Sequence, residues 1–343
     1  MAYKKVQFIA HCLHTGPQAV LPGGQTYLGL ARPEDDIAAR GGLVKAAIAV
    51  AEGKAAGDAD TLKVFMMPEF FFRGATGAYE MEDVQSVVSE LQATVKDAKF
   101  KDWLFVFGTI VGTSQGAQPG FWARLFGVQQ KLEGYNYALV QRGGADAGPD
   151  TAYAVVKEHK SGIDFIVRAN LPPGIFAIAD ESIEHLKPLS GGPRDETQRF
   201  SYDGAGVFQI KQAATDTVAL KIGVEICLDY IAGRLASANP RPSVDLHLVP
   251  SCGATLENHG PNGWTLQNNA VCRDGGYIFN CDGMSNYAVP ATPYASDLRK
   301  RTGANFAAIA AAVPPEAIPY QPAPQLFVGG AGVVRLYPVQ VLP

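Results

Sequence analysis

The sequence has no basic run longer than Arg299-Lys300-Arg301. Its 29 Lys and Arg are dispersed and are outnumbered by 33 Asp and Glu, which leaves a formal net charge of −4. A surface that holds nucleic acid or an anionic membrane needs a concentrated positive face, so neither partner is expected. No apolar run approaches the roughly 20 residues that span a bilayer. At the start, MAYKKVQFIAHCLHTG places two lysines before a short apolar stretch, but His11 and His14 interrupt it and no small-residue cleavage site follows. It reads as a first β-strand rather than a signal peptide, and a cytoplasmic location is expected. Cysteine is scarce as well. The five residues Cys12, Cys227, Cys252, Cys272 and Cys281 are odd in number, widely spaced and without a CxxC pair. That excludes a disulfide framework and a zinc site as expectations, and most of them read as small buried hydrophobes.

Apolar material is plentiful, at 47% of residues against 18% charged, so the chain can build a large core. Apolar spacing predicts helices over residues 35–55 and 84–95. Near-continuous apolar runs predict strands at 4–10, 62–72 and 103–112. Residues 135–141 and 151–159, separated by the turn-rich RGGADAGPD, predict a hairpin. Strand-like runs return at 206–212, 217–227, 244–250 and 276–283, with a short helix after Asp229, another over 262–274, one near 303–312, and a closing hairpin over 326–341. This alternation predicts an α/β fold in one domain, 1–343. An irregular insertion is expected at about 160–205, with one short helix around Glu181–Leu186, and a C-terminal extension from about 286.

Three positions have the surroundings that chemistry needs. Cys227 ends the apolar run KIGVEIC just before a predicted helix. A thiol at such a turn faces a crevice at the carboxyl edge of a sheet, where positive potential favours the thiolate nucleophile. Without that context a buried cysteine is ordinarily inert. Glu69, in MMPEFFFRG, is enclosed by apolar residues that raise a carboxylate's pKa and fit it to carry protons near neutrality. Most glutamates instead turn outward into solvent. Lys157 ends the strand YAVVK, where an enclosed ammonium would stabilise negative charge developing on oxygen. An ordinary solvated lysine fits that place equally well, and Lys160 competes with it. If the strand continues, Lys157 and His159 share one face and Lys160 takes the other.

Taken together, these segments resemble the nitrilase superfamily, the carbon–nitrogen hydrolases. The resemblance rests on Pro68-Glu69-Phe70, on Val155-Val156-Lys157-Glu158-His159, and on Gly223-Val224-Glu225-Ile226-Cys227-Leu228-Asp229, in the family's order. Tyr135-Asn136, VDLHLVPSCG (244–253), Arg273 before GGYIFNCDG and FVGGAGVV (327–334) extend it over nearly the whole chain. There are departures. Val155 stands where the family has a tyrosine, Arg273-Asp274-Gly275 replaces a longer motif, and the segment between Lys157 and Cys227 is longer than the family core.

The resemblance implies an αββα sandwich that pairs into a homodimer or higher homo-oligomer. It implies a Glu69–Lys157–Cys227 site cleaving a non-peptide C–N bond through a thioester, with no metal or organic cofactor. The Leu228 amide joins Lys157 in holding the oxyanion, and Glu181, with Glu184 as rival, stands for the family's second glutamate. Asp229 is expected to cap the following helix, and Phe70 and Trp264 to line the pocket. Leu228-Asp229 in place of Trp-Glu favours a small amide or carbamoyl substrate, with water, over a nitrile. Two rivals stay open: a Cys–His hydrolase using His159 or His247, and a catalytically silent binding protein. Residues 160–200 are expected to cover the mouth of the site.

Overall fold

Alternation along the strands decides the layering of the protein, seen here in a computed structural model. It describes residues 3–20, 24–115, 132–145, 151–159, 206–239, 241–257, 265–284, 296–312 and 314–343, together with 122, 125, 126, 161, 163, 164 and 176–178. The first sheet is built on β1 (Lys5–Cys12), β2 (Thr61–Met66), β3 (Trp103–Val106), β4 (Ile110–Gln115), β5 (Leu132–Arg142) and β6 (Ala152–Val156). The second contains β7 (Val207–Ile210), β8 (Leu220–Val224), β9 (Val244–Ser251), β10 (Cys272–Asp282), β11 (Ser296–Thr302) and β12 (Asn305–Ile309), in that order. Near the C-terminus, β13 (Val333–Leu336) returns to the first sheet and pairs antiparallel with β1. β1, β2 and β3 run parallel, as do β8, β9 and β10.

On β1, Val6, Phe8 and Ala10 share one face. With Leu62, Val64 and Met66 of β2 they pack against Ile222 and Val224 of β8, Leu246 and Leu248 of β9, and Phe279 of β10. That layer joins the two sheets. The opposite face of the first sheet, with Ile9, Phe65 and Phe105, is covered by α1 (Pro33–Glu52) and α2 (Met81–Val95). The outer face of the second sheet, with Val244, Val249 and Ile278, is covered through Tyr230, Leu235 and Leu266 by three short helices: α3 (Leu228–Ala232), α4 (Arg234–Ala238) and α5 (Leu266–Asn269). The layers are therefore α, β, β, α, as expected. Successive side chains of a strand point to opposite faces and the central strands are buried throughout, so each sheet must find an apolar partner on both sides.

Four local expectations are corrected. The run 103–112 is two strands, because Gly108 turns the chain at a φ of 59° and a Cβ there would lie 2.1 Å from the Pro68 carbonyl oxygen. The helix expected over 262–274 is only Leu266–Asn269, and β10 already begins at Cys272. The alanine-rich stretch near 303–312 is the second arm of the β11–β12 hairpin, turned at Gly303. The segment 326–341 is not a hairpin: α6 (Ala323–Leu326) leads into β13, and both β13 and Gln340–Val341 pair with β1. In the last of these, pairing to a strand distant in sequence outweighed the local pattern.

Candidate active site

The three candidate residues follow strand ends at the same edge of the sandwich. Glu69 comes three residues after β2, Lys157 directly after β6, and Cys227 three residues after β8. The carboxyl end of β9 holds two of them in place. The Cys227 N–H donates to the Pro250 carbonyl (3.1 Å), and the Glu69 N–H donates to that of Ser251 (3.2 Å). The Cys227 sulfur lies 3.7 Å from the Cys252 carbonyl oxygen. Cys227 itself is strained, with φ 48° and ψ −105°, a region that L-residues avoid and that functional turns tolerate. Its strain marks the switch from β8 into α3, and the Leu228 N–H that opens α3 finds no acceptor among the described residues.

Lys157 is the hub. Its Nζ lies 2.8 Å from Glu69 Oε1 and 2.7 Å from Asp164 Oδ1. Asn136 Nδ2 donates to the same two oxygens, at 2.9 and 3.3 Å. All four side chains are buried. Burial alone would push the ammonium toward neutrality, but Glu69, Cys227 and Asp164 outweigh it and hold Lys157 well above its ordinary pKa. Burial raises the Glu69 carboxyl to about 7, against the pull of Lys157. The Glu69 carboxyl and the Cys227 thiol are close enough for each to feel the other's charge. Its Oε2 receives no N–H or O–H from any described group.

The thiol departs from expectation in one respect. Burial first and the Glu69 charge second push Cys227 well above its ordinary pKa, and Lys157 only partly offsets them. The thiol form is thereby favoured over a preformed thiolate, because burial and the Glu69 charge outweigh the Lys157 ammonium.

Asp229 serves a different purpose from the one expected. It lies inside α3, and its buried carboxylate accepts the N–H groups of Glu158 (3.0 Å) and His159 (2.7 Å) and pairs with His159 Nδ1 (2.8 Å). It caps the turn after Lys157 rather than its own helix. With His159 engaged there, and His247 Nε2 2.8 Å from Glu225 Oε1, both histidines of the rival Cys–His reading are committed elsewhere. Arg273 pairs with Asp245 at the amino end of β9, away from the site.

Phe70 is fully buried, and its ring centroid lies 5.6 Å from Lys157 Nζ. Trp264, Lys160, Glu181 and Glu184 lie outside the described residues, as does most of the expected insertion. Asp164 is the carboxylate that meets Lys157 alongside Glu69, and sequence reasoning missed it. Only the pair Tyr135-Asn136, noted for its resemblance, pointed toward this second layer.

No family model matches the sequence, and no curated protein matches it. Solved structures do. The chain is similar to Nit3 of Saccharomyces cerevisiae, a member of branch 10 of the nitrilase superfamily, with 17% identity over 99% of this chain and 91% of that one and a TM-score of 0.45. It is also similar to an amidase from Nesterenkonia sp., with 12% identity, 100% and 91% coverage and a TM-score of 0.45. A mutant of the Nesterenkonia sp. AN1 amidase in complex with butyramide matches with 12% identity, 100% and 92% coverage and a TM-score of 0.44.

Proposed function

We propose that this chain is a carbon–nitrogen hydrolase of the nitrilase superfamily that cleaves a small amide or N-carbamoyl group through a Cys227 thioester. The observation that carries the reading is the meeting of a buried carboxyl, a buried ammonium 2.8 Å from it and a buried thiol at one edge of the sandwich.

The chemistry follows from the charges. As the sulfur attacks the substrate carbonyl carbon, the thiol proton passes to Glu69. A carboxyl near 7 accepts that proton far more readily than one at its ordinary value. Because the thiol is protonated at rest, attack and proton transfer occur together. The carbonyl oxygen becomes an oxyanion facing Lys157 Nζ and the Leu228 N–H, preorganised donors at a buried site. Glu69 returns the proton to the leaving nitrogen, the C–N bond breaks, and ammonia or an amine departs from a thioester. Glu69 then takes a proton from water, whose oxygen attacks the thioester carbon. Collapse releases the acid product, and the sulfur recovers its proton. Asn136 and Asp164 keep Lys157 and Glu69 in register. Asp164 also balances the ammonium, so that Lys157 stays charged when Glu69 is protonated.

The test is ammonia release from a panel of small aliphatic amides and N-carbamoyl compounds by the wild-type protein and Cys227→Ala. Turnover by the wild type and loss of it in a folded Cys227→Ala variant is the expected result. A wild-type protein that hydrolyses nothing in the panel and whose Cys227 resists iodoacetamide supports the silent binding protein instead.

A further inference from the structure

Glu225 is a buried acid that the chemistry above leaves unused. It interrupts the apolar run KIGVEIC, two residues before the thiol. The side chain is fully buried, and among the described residues no lysine or arginine pairs with it. Its charged-group contact is His247, also fully buried, whose Nε2 lies 2.8 Å from Oε1. His247 Nδ1 accepts the Val271 N–H at 3.3 Å, which leaves the ring proton on Nε2, facing the carboxylate. The Tyr230 ring meets the imidazole edge-on, with centroids 5.8 Å apart. A carboxylate taken out of water is costly unless its contacts compensate, so what this one holds has a bearing on the site.

It holds a loop closed. Glu225 Oε2 accepts the Leu235 N–H, ten residues further on, at 3.0 Å. Leu235 lies in the first turn of α4, where an N–H has no acceptor within its own helix. Between the two residues the chain passes through Cys227, α3 and Gly233, so one carboxylate ties the neck of the loop that carries the thiol. The base of this loop is fixed to β9. The Glu225 N–H donates to the Leu248 carbonyl at 3.2 Å, and His247 of β9 meets the carboxylate. The groups that steady the turn after Lys157 from this side also belong to the loop. Asp229 accepts the N–H groups of Glu158 and His159, and Arg234 Nε lies 2.7 Å from Glu158 Oε1. Within the loop Cys227 stands at φ 48°, a conformation that persists only where its surroundings over-determine it.

We propose that Glu225 is a positioning residue: with His247 orienting its carboxylate, it staples α4 back to the end of β8 and so holds Cys227 in its strained conformation. The proposal rests on the hydrolase reading for what Cys227 does, but not for what holds it. One carboxylate oxygen faces Leu235 and the other His247, so the effect of Glu225 on the thiol passes through the backbone of the loop.

The experiment uses the full-length protein. Glu225→Leu leaves the Leu235 N–H without an acceptor, whereas Glu225→Gln keeps one oxygen for it. A loop freed at its neck opens locally, so iodoacetamide should label Cys227 about 10-fold faster in Glu225→Leu, read peptide by peptide by mass spectrometry. Cys12, Cys252, Cys272 and Cys281, all buried, should stay as protected as in the wild type. On an accepted amide kcat should fall by about 100-fold, the scale of a misplacement of about 1 Å, with KM within about threefold of the wild type. Glu225→Gln should lie between the two in both readouts. Faster labelling at one cysteine with slower turnover separates positioning from a general loss of stability, which would expose all five cysteines. Should Glu225→Leu fail to fold, Glu225→Gln takes its place in both readouts. Hydrogen exchange at residue resolution on the wild type needs no variant: the Leu235 amide should be protected although it opens a helix. An unprotected Leu235 amide overturns the proposal. So does a folded variant with wild-type kcat and wild-type labelling at Cys227, or one in which all five cysteines label faster together. If the wild type cleaves no amide while the variant still speeds labelling at Cys227 alone, the hydrolase reading fails and the staple stands.

Discussion

Asp229→Ala isolates the device that positions Lys157. The buried Asp229 carboxylate accepts two backbone N–H groups, from Glu158 and His159 at 3.0 and 2.7 Å, and the His159 ring at 2.8 Å. Hydrogen bonds to a charged group contribute about 1.5–3 kcal/mol each. Glu158 is only half-buried and His159 is exposed, so water recovers part of that once the carboxylate is gone. A net loss of about 2–4 kcal/mol is therefore expected for Asp229→Ala, and about half as much for Asp229→Asn, which keeps one acceptor oxygen. The turn carries Lys157, so its relaxation should also lower kcat/KM by about 10- to 100-fold, the scale of a misplacement near 1 Å. Urea unfolding gives the first quantity and initial rates on an accepted amide give the second. A stability change below about 0.5 kcal/mol together with full activity would refute the reasoning. The same pair has a pH signature. The hydrogen bond to Asp229 raises His159 above its ordinary value, against burial, so its contribution is fully present below about pH 6.5 and fades as pH climbs through the raised value. The stability gap between wild type and His159→Gln should accordingly shrink toward alkaline pH.

Three further outcomes are expected. Glu69 must be ionised to act as base, so kcat/KM should rise with pH along an acid limb whose apparent pKa, shared by the coupled cluster, lies near 7; a limb near the ordinary carboxylate value would contradict the burial argument. Lys157→Ala should reduce kcat/KM by on the order of a hundredfold or more, and Lys160→Ala should be close to neutral; the reverse ranking would assign the oxyanion role to the wrong lysine. Gly108→Ala should destabilise by more than about 2 kcal/mol in a thermal melt, because its φ of 59° and a Cβ 2.1 Å from the Pro68 oxygen force the backbone that carries Glu69 to move; a Tm within a degree of wild type would rule this out.

The parts of the site that were legible in the sequence are those whose signal is local. An apolar strand that ends abruptly in Glu69, Lys157 or Cys227 shows a polar group at a sheet edge, and the two sheets then bring those edges together. Asp164 gave no such signal. Asp164 falls in a stretch without periodicity, and only its contact with Lys157, seven residues away around a turn, gives it meaning. The run KIGVEIC reads as a strand through Cys227, but β8 stops at Val224 and the strained turn at Cys227 replaces the last step. Composition misled over residues 305–309, where alanines that favour helix are held as a strand by pairing with β11.

The central claim is that Cys227 forms a covalent acyl intermediate with Glu69 and Lys157 beside it. It is tested most directly by acid-quenching the wild-type protein during turnover of its best amide and reading the peptide masses. The account predicts an added acyl mass on the peptide containing Cys227, absent from Cys227→Ala. Sustained hydrolysis with no adduct there, or an adduct on Cys252 instead, would contradict it.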